Sequence, residues 1–90
     1  MSFTMLQEFG ERVRRSRQKR SMTQQALGDS CGIDRTYVGS LERGERNVAL
    51  INIVRIAAVL GEDPATFISG LRPDPEHYEK RPPRDPAERE

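Results

Sequence analysis

A single cysteine, Cys31, stands in these 90 residues, so no internal disulfide is available and no zinc site can be built on thiolates. Such usage fits a reducing compartment, and a soluble, cytoplasmic protein is expected. No window approaches the ~20 apolar residues that a membrane-spanning helix needs, and the first residues carry no apolar core of signal-peptide length, so no membrane partner is expected. Catalytic groupings are missing too. There is no nucleophile beside a base, no paired-carboxylate site and no glycine-rich phosphate loop, which leaves neither an enzymatic activity nor a cofactor to expect. His77 has no second ligand or base nearby in the chain and reads as solvated, without a metal. The methionines are too scattered to outline a pocket for a small molecule.

What is present is charge. Charged residues make up 32% of the chain and apolar ones only 34%, a balance that supports one small domain with part of the chain unfolded. The net charge of +1 conceals a crowd of cations at Arg12, Arg14, Arg15, Arg17, Lys19 and Arg20. Such runs are commonly solvated helix faces. These positions go right around a helix, so Arg12 or Arg14 is placed to pair with Glu8 or Glu11, while Arg17, Lys19 or Arg20 is left to meet a polyanion.

Helical periodicity runs through the chain and no strand pattern or internal repeat does. Leu6, Phe9 and Val13 predict a first helix to about Arg20, with Gly10 inside it needing a close neighbour to excuse it. Thr23 predicts the N-cap of a short second helix to about Ser30, with Ala26 where a full capping box would have Glu or Gln. Gly32 supplies a tight turn, and Asp34 caps a third helix whose entry is fixed by a staple of Ile33 and Val38. That helix runs to about Arg43 and Gly44 stops it. Leu50, Ile53, Val54, Ala57 and Leu60 predict a core helix closed by Gly61. Asp63 and Pro64 open a fifth, with Phe67, Ile68 and Leu71 as its apolar side. Cys31 is expected in the core as a small hydrophobe. Prolines 73, 75, 82, 83 and 86 among mixed charges then predict an unstructured tail over 72–90. The expected architecture is all-α, with five helices in one domain over 1–71.

Two helices joined by a glycine turn, the second capped and polar on its outer side, is the arrangement that sets a helix into a major groove. On a helical wheel Tyr37, Val38 and Leu41 share the third helix's packing face, and Arg35, Thr36, Gly39, Ser40 and Arg43 share the other. The stretch QQALGDSCGIDRTYVGSLER, Gln24 to Arg43, resembles the helix-turn-helix of the Cro/C1-type (lambda-repressor-like, XRE) family of bacterial transcription regulators. The likeness includes Leu27, Gly28, Gly32, Ile33, Val38 and Leu41, the ERG that ends at Gly44, and LGEDP over 60–64, so it covers about Phe9 to Leu71. Gly28 departs from a commoner alanine, Val48 from a frequent proline, and Gly39 stands mid-helix.

The resemblance implies a five-helix, lambda-repressor-like domain that binds double-stranded DNA through a helix-turn-helix over 23–43. It implies base contacts from Arg35, Thr36 and Ser40, a pattern that agrees with guanidinium pairing to guanine and with threonine's hydroxyl or methyl on a base. Gln24 is implied as a phosphate contact, with Tyr37, Arg43, Arg46, Asn47 and Arg17 as further phosphate candidates. A homodimer on a two-fold operator follows, and Ile51, Phe67, Ile68 and Leu71, too many for the core alone, are candidates for its interface. Glu42 is read first as an ion-pair partner, beside Arg43, and second as a contact for RNA polymerase. IDRTYVGSLERGERN also resembles restriction-modification controllers. A rival reading is an antitoxin-like partner protein, whose tail captures another chain and whose DNA binding is secondary.

Overall fold

Polar side chains cap three of the five α-helices in the computed structural model, which describes residues 3–78. Thr4 and Gln7 form a reciprocal capping box, Gln7 N–H to Thr4 Oγ1 at 3.2 Å and Thr4 N–H to Gln7 Oε1 at 3.0 Å, and start α1, Met5–Lys19. Thr23 Oγ1 accepts from the Ala26 amide at 3.0 Å and starts α2, Gln24–Cys31. Asp34 accepts from the Thr36 amide at 2.7 Å and starts α3, Arg35–Glu42. Asp63 accepts from the Ala65 amide at 2.8 Å at the head of α5, Ala65–Ile68. α4, Leu50–Leu60, begins without a side-chain cap, at Ala49, and the N-cap residue of α5 is Pro64, which has no side-chain acceptor. Among the described residues there is no strand, and no helix is long and apolar enough to cross a membrane. The all-α, five-helix expectation holds. Gly32 and Gly61 end α2 and α4 with φ of 70° and 67°, the left-handed conformation that a Cβ disfavours.

The core joins Phe9 and Val13 of α1, Leu27 and Cys31 of α2, Val38 and Leu41 of α3, Val48, then Ile56, Ala57 and Leu60 of α4 and Phe67 of α5. Phe67 is fully buried and meets Phe9 edge to face, ring centroids 6.4 Å apart. Burial of that kind stabilises the fold by roughly 1.5 to 3 kcal/mol per large side chain. Its place corrects the reading of Phe67 as an interface residue: a four-residue α5 has room for one inward side chain, and Phe67 takes it.

α4 rotates differently from its expected stripe. Ala57 and Leu60 are buried and Ile53 is partly so, but the inward row is completed by Ile56, and Leu50 and Val54 are 70% and 47% exposed. The helix reads LINIVRIAAVL, apolar on nearly every side, so periodicity alone does not select the face that meets α2. Gly10 finds the neighbour it needed. A Cβ there would strike the carbonyl oxygens of Leu41 and Glu42, so the bare backbone lets α1 lie against the end of α3.

Part of the expected tail is held to the domain. Asp74 turns back to α1, where its carboxylate accepts from the Met5 amide at 3.2 and 3.3 Å, one of the donors a helix start leaves free. Pro75–Tyr78 makes a single 3₁₀ turn, and His77, exposed as expected, closes it by accepting from the Asp74 amide at Nδ1 at 2.9 Å. The rest of the expected tail, 79–90, lies outside the described residues.

Candidate nucleic-acid interface

The helix-turn-helix is held from within by close backbone approach. A Cβ on Gly28 would come within 2.5 Å of the Ile33 carbonyl oxygen, so α2 and the turn meet where only glycine fits. Ile33 packs on the core as the staple requires, Val38 and Leu41 point inward, and Arg35, Thr36 and Arg43 stand exposed on the outer side.

Ser40 does not join them. It is 5% exposed, its hydroxyl donates to the Tyr37 carbonyl at 2.9 Å and accepts from Arg46 Nε at 3.0 Å, and the Arg46 guanidinium lies over the Tyr37 ring at 5.4 Å from its centroid. The wheel put Ser40 outside because it takes no account of the loop after α3, which folds Arg46 back over that position. Arg46, Asn47 and Tyr37 border this side, the first two exposed and Tyr37 half-buried.

Arg17 is also turned inward. Its Nε and Nη2 donate to the two carboxylate oxygens of Glu42 at 2.7 and 3.0 Å, and Nη1 donates to the Met22 carbonyl at 2.8 Å. The hydrogen bond to Glu42 raises the Arg17 pKa further above its ordinary value, against the opposing effect of burial. With three nitrogens engaged and the side chain 11% exposed, Arg17 is a strut between α1 and α3 and not a free phosphate contact. Glu42, 7% exposed, is likewise closed to an outside protein, which corrects the reading of it as a polymerase contact, and its partner is Arg17 rather than Arg43. The arginine and the glutamate are 25 residues apart, and no local spacing signals their meeting.

Gln24 donates from Nε2 to Glu42 Oε1 at 3.1 Å, so the ion pair fixes the amide at the start of α2. Arg43 pairs at the surface with Glu45, at 3.0 and 3.1 Å, and this contact holds the Glu45 carboxyl below its ordinary pKa. The cations of α1 divide as their spacing implied: Arg12 pairs with Glu8, Arg14 and Arg15 with Glu11, and Lys19 and Arg20 stay exposed. Among the described residues one group of metal-type side chains comes together, Asp74, Glu76 and His77, at an exposed turn whose His77 Nδ1 is already occupied.

The Helix-turn-helix family model matches residues 13–67, which takes in all the elements just described from mid-α1 to Phe67. The chain belongs to the helix-turn-helix family, in its XRE group. This helix-turn-helix protein is 46% identical over 61 residues to control protein C.BamHI of Bacillus amyloliquefaciens, covering 67% of this chain and 75% of that one. Among solved structures it is similar to the restriction-modification controller protein C.AhdI from Aeromonas hydrophila, with 40% identity, a TM-score of 0.66, and coverage of 70% of this chain and 94% of that one. It is also similar to the P22 c2 repressor protein, solved in complex with a synthetic operator, with 28% identity, a TM-score of 0.66, and coverage of 77% and 98%. The fold is therefore lambda-repressor-like, as the resemblance implied.

Four large apolar side chains of α4 and α5 are also exposed. Leu50, Ile51 and Val54 of α4 and Ile68 of α5 are 70%, 60%, 47% and 42% exposed. Ile51 and Ile68 of the expected interface set are thus at the surface, and the half-buried Leu71 lines a groove with Ile68, Met5, Leu6 and Val48.

Proposed function

We propose that this helix-turn-helix regulator binds a two-fold operator in duplex DNA as a homodimer in the cytoplasm, in the manner of a restriction-modification controller. The observation that carries the reading is the pair Arg35 and Thr36, exposed on the first turn of a capped helix whose other face is locked into the core. A guanidinium there pairs bidentately with guanine O6 and N7, and threonine offers a hydroxyl or a methyl to the next base. Gln24, Tyr37, Arg43, Arg46 and Asn47 supply phosphate contacts, which set register and strengthen binding without reading sequence. Ser40 supports Arg46 in this scheme instead of touching a base. The exposed apolar side chains Leu50, Ile51, Val54 and Ile68 support self-association, because a two-fold dimer buries the same surface of both copies. The names of the relatives, control proteins of restriction systems, support the same reading.

The test is selection from random duplexes by the purified protein, followed by salt titrations on the enriched and scrambled sequences. Enrichment of a two-fold sequence bound more tightly than the scramble at physiological salt is expected. Equal, weak binding to both would transfer the case to the antitoxin-like reading.

A further inference from the structure

α5 has four residues, Ala65–Ile68, a length that does not sustain a helix by itself in water. Its inward side chain is Phe67, and the buried core ends there. The chain nevertheless keeps to the domain beyond it. Ser69 and Gly70 are exposed, Gly70 with a left-handed φ of 75°, and Leu71 is half-buried at the margin of the core. Within the segment the Leu71 amide donates to the Ile68 carbonyl at 3.2 Å, a local turn. A turn of this kind shapes a segment without placing it against the rest of the protein, so contacts from another element must do that.

Polar contacts with α1 supply the placement on either side of Leu71. Before it, Arg12 Nη1 donates to the Ser69 carbonyl at 2.8 Å and to the Thr66 carbonyl at 3.5 Å, groups that the end of α5 leaves free. Arg12 Nε is bonded to Glu8 at 3.2 Å, which fixes the guanidinium. After it, the Asp74 carboxylate, its side chain 21% exposed, accepts from the Met5 amide at 3.2 and 3.3 Å, at the positive end of α1. Ser69 and Asp74 thus bracket Leu71. Leu71 lines the groove with Ile68 and Met5, so the residue whose amide Asp74 holds belongs to the same groove.

The geometry points to Asp74 as a positioning residue for self-association, which acts with Arg12 to pin the strap Ser69–Asp74 on α1 and so holds Ile68 and Leu71 as a second copy meets them. This rests on the homodimer reading above and adds to it that the α5 side of the surface is set by polar contacts with α1 inside each copy. A strap released from Met5 samples other positions about Gly70, and association then has to order it again. The pins meet that ordering cost before the copies meet. In a two-fold dimer the cost arises in both copies.

The experiment is sedimentation equilibrium on the full chain and on Asp74→Ala, Asp74→Asn, Arg12→Met and the double variant Asp74→Ala with Arg12→Met, with amide hydrogen exchange followed under monomeric conditions. Asp74→Ala is expected to raise the dimer dissociation constant about tenfold. Asp74→Asn keeps an oxygen acceptor for the Met5 amide and is expected to stay within about threefold of the parent. The double variant is expected to weaken association by less than the product of its single effects, because both pins hold one segment. Exchange separates positioning from a general loss of structure: in Asp74→Ala the Met5 and Leu71 amides are expected to exchange faster, while those of α2, α3 and α4 keep the parent's rates. The assignment is overturned by an Asp74→Ala that dimerises like the parent, by an Asp74→Asn as weak as Asp74→Ala, or by exchange that quickens throughout the domain. A parent that stays monomeric at every concentration overturns the homodimer reading itself, an outcome distinct from a dimeric parent whose Asp74→Ala is dimeric as well.

Discussion

Arg17 of α1 and Glu42 at the end of α3 meet as a two-pronged ion pair, 2.7 and 3.0 Å, with the side chains only 11% and 3% exposed. The pair ties α3 to α1, and through Glu42 it also fixes the Gln24 amide. Breaking one partner leaves a buried charge alone, so Glu42→Ala and Arg17→Met are each expected to cost about 3 to 5 kcal/mol of stability. The double variant Arg17→Met with Glu42→Leu removes both charges and is expected to recover most of that loss. Urea denaturation decides it: single variants within about 1 kcal/mol of the parent are incompatible with a dry pair and place it in the range of surface ion pairs.

Local signals were legible in the sequence and long-range ones were not. Asp34, Gly32, Ile33 and Val38 mark the turn and the start of α3 because caps and staples act over a few residues, and the structure has each in its role. The face of α4 was ambiguous, because Leu50, Val54 and Ile56 all suit a helix interior and only the packing on α2 selects Ile56. Arg17 and Ser40 were read as outward because their burial depends on Glu42, 25 residues away, and on Arg46 folding back across a loop. Asp74 carried no signal, since its partner is the Met5 amide at the far end of the domain. At the site, the exposed pair Arg35 and Thr36 was visible from the helical wheel and the family resemblance, whereas the anchoring beneath Gln24 was not.

Arg35 and Ser40 were grouped by the helical wheel, and their surroundings now separate them. Arg35 is exposed with no partner drawn to it in the hydrogen-bond pattern of α3, whereas the Ser40 hydroxyl is buried between Tyr37 and Arg46. Arg35→Ala is expected to cost about 1 to 3 kcal/mol of operator binding and to relax preference at one base pair. Ser40→Ala releases Arg46 and is expected to weaken all duplexes alike, with the base preference unchanged. Repeating the duplex selection with each variant distinguishes the two, and a changed base preference for Ser40→Ala would restore it to the reading face.

Ile51 and Leu50 expose apolar surface on the first turn of α4 while contributing nothing to the buried core. If this surface joins two copies, Ile51→Asp places two carboxylates in one apolar interface, since each substitution appears twice in a two-fold dimer. The dimer dissociation constant is expected to rise by on the order of a hundredfold or more, with the monomer's melting temperature nearly unchanged. Sedimentation equilibrium reads the first and thermal unfolding at low concentration the second. A dimer unaffected by Ile51→Asp locates the two-fold axis elsewhere.

Burial of Cys31 makes stability depend on alkaline pH. The thiol is 7% exposed in the core, and desolvation raises its pKa above the ordinary 9.0 although the charge of Arg55 pulls the other way. A group whose pKa is raised on folding stabilises the fold fully below its unfolded value and loses that effect as pH climbs through the folded value. The contribution of Cys31 is therefore intact at neutral pH and drains away from about pH 9 upward. Cys31→Ala removes buried volume and is expected to be less stable than the parent by about 1 kcal/mol at neutral pH. Its stability should nevertheless fall less steeply between about pH 8.5 and pH 10, because no thiol remains to ionise. Urea midpoints measured across that range test the linkage, and parallel pH profiles for the two proteins would mean that the folded thiol ionises as easily as the unfolded one.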